Sequence, residues 1–167
     1  MPDWVRRAGH GRAPDESIVT WSVAEGGRGR RWREVVRTGE GVRSSLLLEL
    51  DPDGRFSHLE LSTAAGLLTL HPERDGTLHG NTVTGAGVGH VIAVPWDRDA
   101  VVLLDGSTIC HAAASGGPLG IRATDALRIG LDLSLARGAA TIDPAVISVD
   151  GLPALADGAS WPLEQDG

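Results

Sequence analysis

Apolar and polar positions alternate with a period of two along much of this chain, and Asp, Gly and Pro interrupt the alternation at short intervals. That pattern reads as strands joined by tight turns, not as amphipathic helices. The clearest unit covers residues 45–61, where two strand-like runs flank Asp51-Pro52-Asp53-Gly54. Pro52 presets φ for a turn, and Gly54 supplies the positive φ that a bulged hairpin loop needs. Closed directly, this loop sets Glu49 opposite Phe56, Leu47 opposite His58 and Ser45 opposite Glu60. One face then carries Leu46, Leu48, Leu50, Leu59 and Leu61, the other Glu49, Phe56, His58 and Glu60, and a bulge of one residue exchanges the faces.

Further strands are predicted over 16–23, where Val19, Trp21 and Val23 share a face, and over 32–36, 42–50, 66–71, 77–84, 88–94 and 100–104. Residues 127–135 alternate strictly and read as one strand, and 144–149 as another short one. Residues 1–14 read as irregular, and 151–167 as a tail that packs Trp161 on the sheet. Residues 105–114 fit either of two readings, a helix of one or two turns through Ala114 capped by Ser107, which is favoured, or a continuation of the sheet. The fold expected is all-β and mainly antiparallel: a curved sheet or barrel of about nine to twelve strands with at most one or two short helices, because large twisted sheets curl. A single domain spans residues 1–167, a length that fits one core.

Composition narrows the partners. Fifteen basic against 22 acidic side chains give a net charge of −7, which argues against nucleic acid and anionic membrane surfaces. The single cysteine, Cys110, forms no internal disulfide, the N-terminus lacks a signal-peptide core, and no apolar run is long enough to span a membrane, so a cytoplasmic setting is expected. One Phe, one Met and no Tyr leave little besides Leu and five Trp to fill a wide barrel, which favours a ligand cavity; a two-layer Leu/Val/Ala sandwich fits the same scarcity.

Six histidines invite a metal or acid–base reading, but no His-x-x-x-His spacing is present and Cys110 stands alone, so no metal and no cofactor is expected. Adjacent Cys110 and His111 diverge in either a strand or a helix, so the thiol reads as a small buried apolar group. The glycine and arginine loop at 26–31 lacks a phosphate-binding fingerprint and reads as a solvated connection. The remaining constellation is Glu49, His58 and Glu60, with His90 from another strand. Turned inward, His58, Glu60 and His90 are the candidate acid–base groups; turned outward, they form a solvated face. Trp21, Trp32 and Trp96 are the candidate aromatic ligand contacts, with Trp96, Asp97 and Asp105 at loop mouths.

Trp4-Val5-Arg6-Arg7, Glu16-Ser17, the following glycine loop, Leu46-Leu47-Leu48-Glu49-Leu50-Asp51, Arg55 and His58-Leu59-Glu60-Leu61 resemble the N-terminal half of a bacterial glycolipid-binding family, once listed as a domain of unknown function. The resemblance implies a curved antiparallel sheet akin to the carriers that hold lipoprotein acyl chains, and it fades after about Thr84. The function expected is therefore a binder of an apolar or amphipathic, lipid-like or glycolipid-like small molecule in a curved β cavity. The alternative is a cofactor-free cyclase or isomerase using the His/Glu groups in the same cavity. A third reading is a β module without a pocket that pairs with a partner, a homodimer included.

Overall fold

The computed structural model describes residues 5–13, 15–115 and 122–142. They form eleven strands and one short helix: β1 (Val5–Arg12), β2 (Ile18–Gly26), β3 (Gly29–Thr38), β4 (Gly41–Leu50), β5 (Phe56–Thr63), β6 (Gly66–Pro72), β7 (Thr77–Thr84), β8 (Gly87–Pro95), β9 (Val101–Leu104), α1 (Thr108–Ser115), β10 (Arg122–Ile129) and β11 (Leu135–Ile142). Strands β1 to β8 make one antiparallel meander in which each strand pairs with its neighbour in sequence. A second sheet has the order β11-β10-β9, with β9 parallel to β10, so α1 lies on the crossover that a parallel pair requires. Among the described residues β1 and β8 do not pair, so the large sheet is open.

The period-two pattern sets the two faces of the large sheet. Trp21, Val23, Trp32, Val36, Leu46, Leu48, Leu59, Leu61, Leu68, Leu70 and Leu78 are all buried on its inner face. Opposite them, and in the same core, sit β9, α1 and β10 with Leu103, Ile109, Leu127 and Ile129. All four residues of β9 are buried, as a parallel strand enclosed on both faces should be. The Thr63 hydroxyl donates to the Leu131 carbonyl at 2.8 Å and ties the two layers together. The inner face is thus covered by the chain's own later segment.

Three local expectations are corrected. Residues 5–12, expected to be irregular, form edge strand β1 although they carry no apolar alternation. Pairing with β2 supplies its order: Gly9 lies opposite Trp21, and a Cβ at Gly9 would come within 2.9 Å of the indole, so the glycine makes room for a core ring. Residues 127–135 are not one strand, because the chain reverses at 130–134 and splits the alternation between β10 and β11. In the 45–61 hairpin, Glu49 faces His58 and Leu47 faces Glu60, two positions from the direct closure, and Ser57 is the extra residue of a bulge. That bulge turns Phe56 to the buried side with Leu50, while the leucines keep their common face. The short strand expected at 144–149 and the Trp161 tail lie outside the described residues.

One loop design recurs at 13–17, 51–55, 73–77 and 130–134: the first residue's N–H donates to the fifth carbonyl, and the fourth residue's N–H donates back to the first. The fourth position has positive φ in each case, at Glu16 (70°), Gly54 (80°), Gly76 (79°) and Leu133 (67°). Asp15, Asp75 and Asp132 each accept the backbone N–H of the residue two ahead, at 3.0, 3.1 and 3.0 Å, as well as its hydroxyl. These bonds, chiefly those from the hydroxyls of Ser17, Thr77 and Ser134, hold all three carboxyls below the ordinary aspartate range.

Leucine at the left-handed position of the last loop is kept by burial, whereas Glu16 is exposed and gains only a solvent-screened contact with Arg12 at 2.9 Å. Glu16→Gly is therefore expected to raise stability by about 0.5–1 kcal/mol, since glycine adopts positive φ without a Cβ clash. A thermal melt showing no rise, or a fall, would refute that account of the loop.

Candidate ligand-binding cleft

A cleft of about 500 Å³ opens at the end of the large sheet where the β4–β5 loop, the β6–β7 loop and the segment after β8 meet. Its apolar wall is Phe56, Pro72 and Trp96, and three arginines, Arg55, Arg74 and Arg98, line it together with two acids, Asp51 and Glu73. The bulge that turns Phe56 inward also places it edge-on to Trp96, with ring centroids 5.6 Å apart and planes at 68°. Trp96 is held from the other side, because its backbone N–H donates to the Gly76 carbonyl at 2.8 Å. A bulge between β7 and β8, with Ala93 at φ 54°, redirects the chain just before Trp96.

The charges around the cleft are unequally engaged. Arg55 bonds Asp99 at 3.0 Å and lies 3.4 Å from Asp53, and chiefly through the Asp99 bond its guanidinium is held in the charged form more firmly than usual. Asp51 spends Oδ1 on the backbone N–H groups of Asp53 and Arg55, both at 2.9 Å, and Glu73 lies 3.0 Å from the His71 ring. Arg74 and Arg98 are exposed and have no ion pair among the described residues. The site thus offers an aromatic plate beside two free guanidinium forks, a combination suited to a molecule with an apolar body and an anionic group.

The structure places the other sequence-derived candidates elsewhere. Trp21 and Trp32 are each 2 % exposed and belong to the core, so a ligand does not reach them without displacing the second layer. Glu49, His58 and Glu60 do come together, on the outer face: Glu49 faces His58, whose Nε2 is 3.0 Å from Glu60 Oε1. Glu49 is also bonded to Arg31 at 2.7 Å. His90 shares the register row of Glu60 but stands three strands away, with Thr69 and Asn81 between, or about 14 Å at the usual strand spacing. Its Nδ1 is 2.7 Å from Asn81 Oδ1. A shared acid–base centre of His58, Glu60 and His90 is not assembled in this arrangement. Asp97 accepts the Asp99 N–H at 2.9 Å and acts as a turn residue.

Sequence reasoning missed Glu34, which is 1 % exposed on the inner face between Trp32 and Val36. The signal was present, since period-two alternation through Trp32-Arg33-Glu34-Val35-Val36 puts the carboxylate on the core side. Its Oε2 accepts the Ile109 N–H at 3.3 Å, at the start of α1, while Oε1 has no hydrogen-bond partner among the described residues. Ser107 caps the same turn by accepting the Cys110 N–H at 3.3 Å, as the sequence suggested. Burial pushes the Glu34 carboxyl above the ordinary glutamate range, and Ser107, the Ile109 N–H and Arg43 only partly oppose it. Arg43 is the extra residue of a bulge in β4 and reaches Asp15 at 2.6 Å.

Burial, with Glu34 nearby, raises the Cys110 thiol to about 12, so it carries negligible thiolate at neutral pH and is a poor nucleophile. Among the described residues no group of three or more His, Cys, Asp or Glu is arranged to hold a metal ion, and no helix is long and apolar enough to cross a membrane. No protein-family model, curated protein or solved structure matches the chain.

Proposed function

We propose that this protein binds an amphipathic small molecule carrying an anionic group and that it receives this ligand in the loop cleft. The observation that carries the reading is the edge-to-face Phe56–Trp96 wall standing in one 500 Å³ cleft with the guanidinium groups of Arg74 and Arg98. An apolar chain or ring gains by leaving water against the aromatic wall, and a phosphate, sulfate or carboxylate gains charge-assisted hydrogen bonds from the arginines. The resemblance of the N-terminal half to the glycolipid-binding family agrees with the amphipathic part of this reading, and the anionic group rests on Arg74 and Arg98 alone. A site at the rim requires no opening of the core.

Isothermal titration with n-octyl phosphate, n-octanol and inorganic phosphate tests this. Octyl phosphate is expected to bind more tightly than either half alone, Trp96→Ala to weaken it about tenfold, and Arg74→Ala with Arg98→Ala to reduce it to the affinity of octanol. Equal binding to wild type and Trp96→Ala, or no binding of octyl phosphate at all, would remove the cleft as the site.

A further inference from the structure

The two edges of the eight-stranded sheet are built differently. Edge strand β1 carries Arg6, Arg7 and Arg12, the kind of charged guard that keeps an open edge from pairing with another chain. Edge strand β8, Gly-Val-Gly-His-Val-Ile-Ala-Val-Pro, has no charged residue. Its outer face presents Val88 at 65 % exposure and Ile92 at 68 %. Val88 is also the end of an apolar row, because Leu67 faces Val83 and Val83 faces Val88. Leu67 and Val83 are themselves 51 % and 44 % exposed, so a strip of unburied side chains runs across three strands and stops at an edge that no described residue covers.

We propose that β8 pairs antiparallel with β8 of a second copy, about a two-fold axis at His90. What selects this occupant is the strand's self-complementarity: exposed Val88 and Ile92 stand two residues either side of His90 on an edge strand without charged residues. A two-fold at His90 sets Val88 against Ile92 of the copy and Ile92 against its Val88, so both exposed side chains gain an apolar cross-strand neighbour. No like charges are brought together, although the whole chain carries −7. The left-handed Ala93 and Pro95 end the pairing segment on one side, and the β7–β8 turn ends it on the other, which fixes a short ladder with one register. The outer row then runs unbroken from Leu67 through Val83 and Val88 to Ile92 of the copy. The Arg74/Arg98 cleft is not part of this contact, so the proposal stands apart from the ligand reading.

Sedimentation equilibrium of the full chain across the micromolar range is expected to give twice 17.4 kDa. Val88→Lys with Ile92→Lys, both exposed and thus tolerated by the fold, is expected to raise the dimer dissociation constant at least tenfold. His90→Cys provides a second readout: antiparallel partners at the axis have Cα atoms about 4.5–5.5 Å apart, within disulfide range, so oxidation should give a covalent dimer while Ala8→Cys on β1 does not. Buried Cys110 does not compete. A wild-type monomer throughout that range, as would follow if the chain's own residues beyond Ile142 covered β8, overturns the proposal. So does a double-lysine variant that stays dimeric, or a His90→Cys chain that does not cross-link.

Discussion

Gly80→Ala is expected to destabilise the protein by at least about 3 kcal/mol, and to do so in the middle of a regular strand pair. Gly80 lies in β7 opposite Leu70, and a Cβ there would sit 1.8 Å from the Thr69 carbonyl oxygen and 2.8 Å from its carbon. Those are backbone atoms of a paired strand, so rotation of a side chain gives no relief. Either the β6–β7 ladder opens or β7 shifts, and Leu70 and Leu78, both fully buried, shift with it. Chemical denaturation reads the loss as a lower midpoint. As a control, Gly85→Ala in the next turn has open space around its Cβ and is expected to change stability by less than about 1 kcal/mol. A Gly80→Ala protein as stable as the control would show that the two strands are not this close.

Glu34→Gln is expected to stabilise the protein at neutral pH by about 2 kcal/mol and to remove one component of its pH dependence. The sign follows from the raised carboxyl: the unfolded chain loses this proton first, so wild-type stability falls as pH rises from the ordinary glutamate value to the folded-state value and is flat above it. Glutamine resembles the protonated acid, keeps an acceptor for the Ile109 N–H and carries no desolvated charge. The advantage of the variant should therefore vanish at acid pH and be complete above the folded-state value. Asp15, Asp75 and Asp132 act with the opposite sign, because their lowered carboxyls favour folding above the ordinary aspartate value and lose that contribution as pH falls. They are common to both proteins and cancel in the difference. A difference between the two proteins that does not change with pH would mean that the Glu34 carboxyl binds its proton equally well folded and unfolded, so that burial does not raise it.

Alternation and turn chemistry made most of the meander legible, because each of its strands pairs with the next and a hairpin is specified within about twenty residues. Asp51-Pro52-Asp53-Gly54 and Asp75-Gly76 announced their loops; the loop at 130–134 did not, since its left-handed residue is Leu133, not a glycine. Edge strand β1 has no apolar stripe to read, and its order comes from β2 and the Gly9–Trp21 fit. For the site, the Trp96 loop mouth was visible in the sequence. Its partners were not: Phe56 reaches it through a bulge, and Arg74 and Arg98 come from separate loops that only the tertiary fold joins. Glu34 was legible in principle, as an acid on an apolar strand face, but its meeting with α1 joins positions 75 residues apart.

Sequential pairing also bears on how the chain is made. A ribosome releases β1 to β8 in the order in which they zip together, so this sheet can assemble from local contacts while synthesis continues. Its leucine face, however, has no cover until residues 101–129 have emerged, because β9 finds its parallel partner only after α1 and β10 are complete. A nascent or truncated chain ending before β9 would therefore present a broad greasy sheet, which makes it a natural client for chaperones and a ready seed for aggregation.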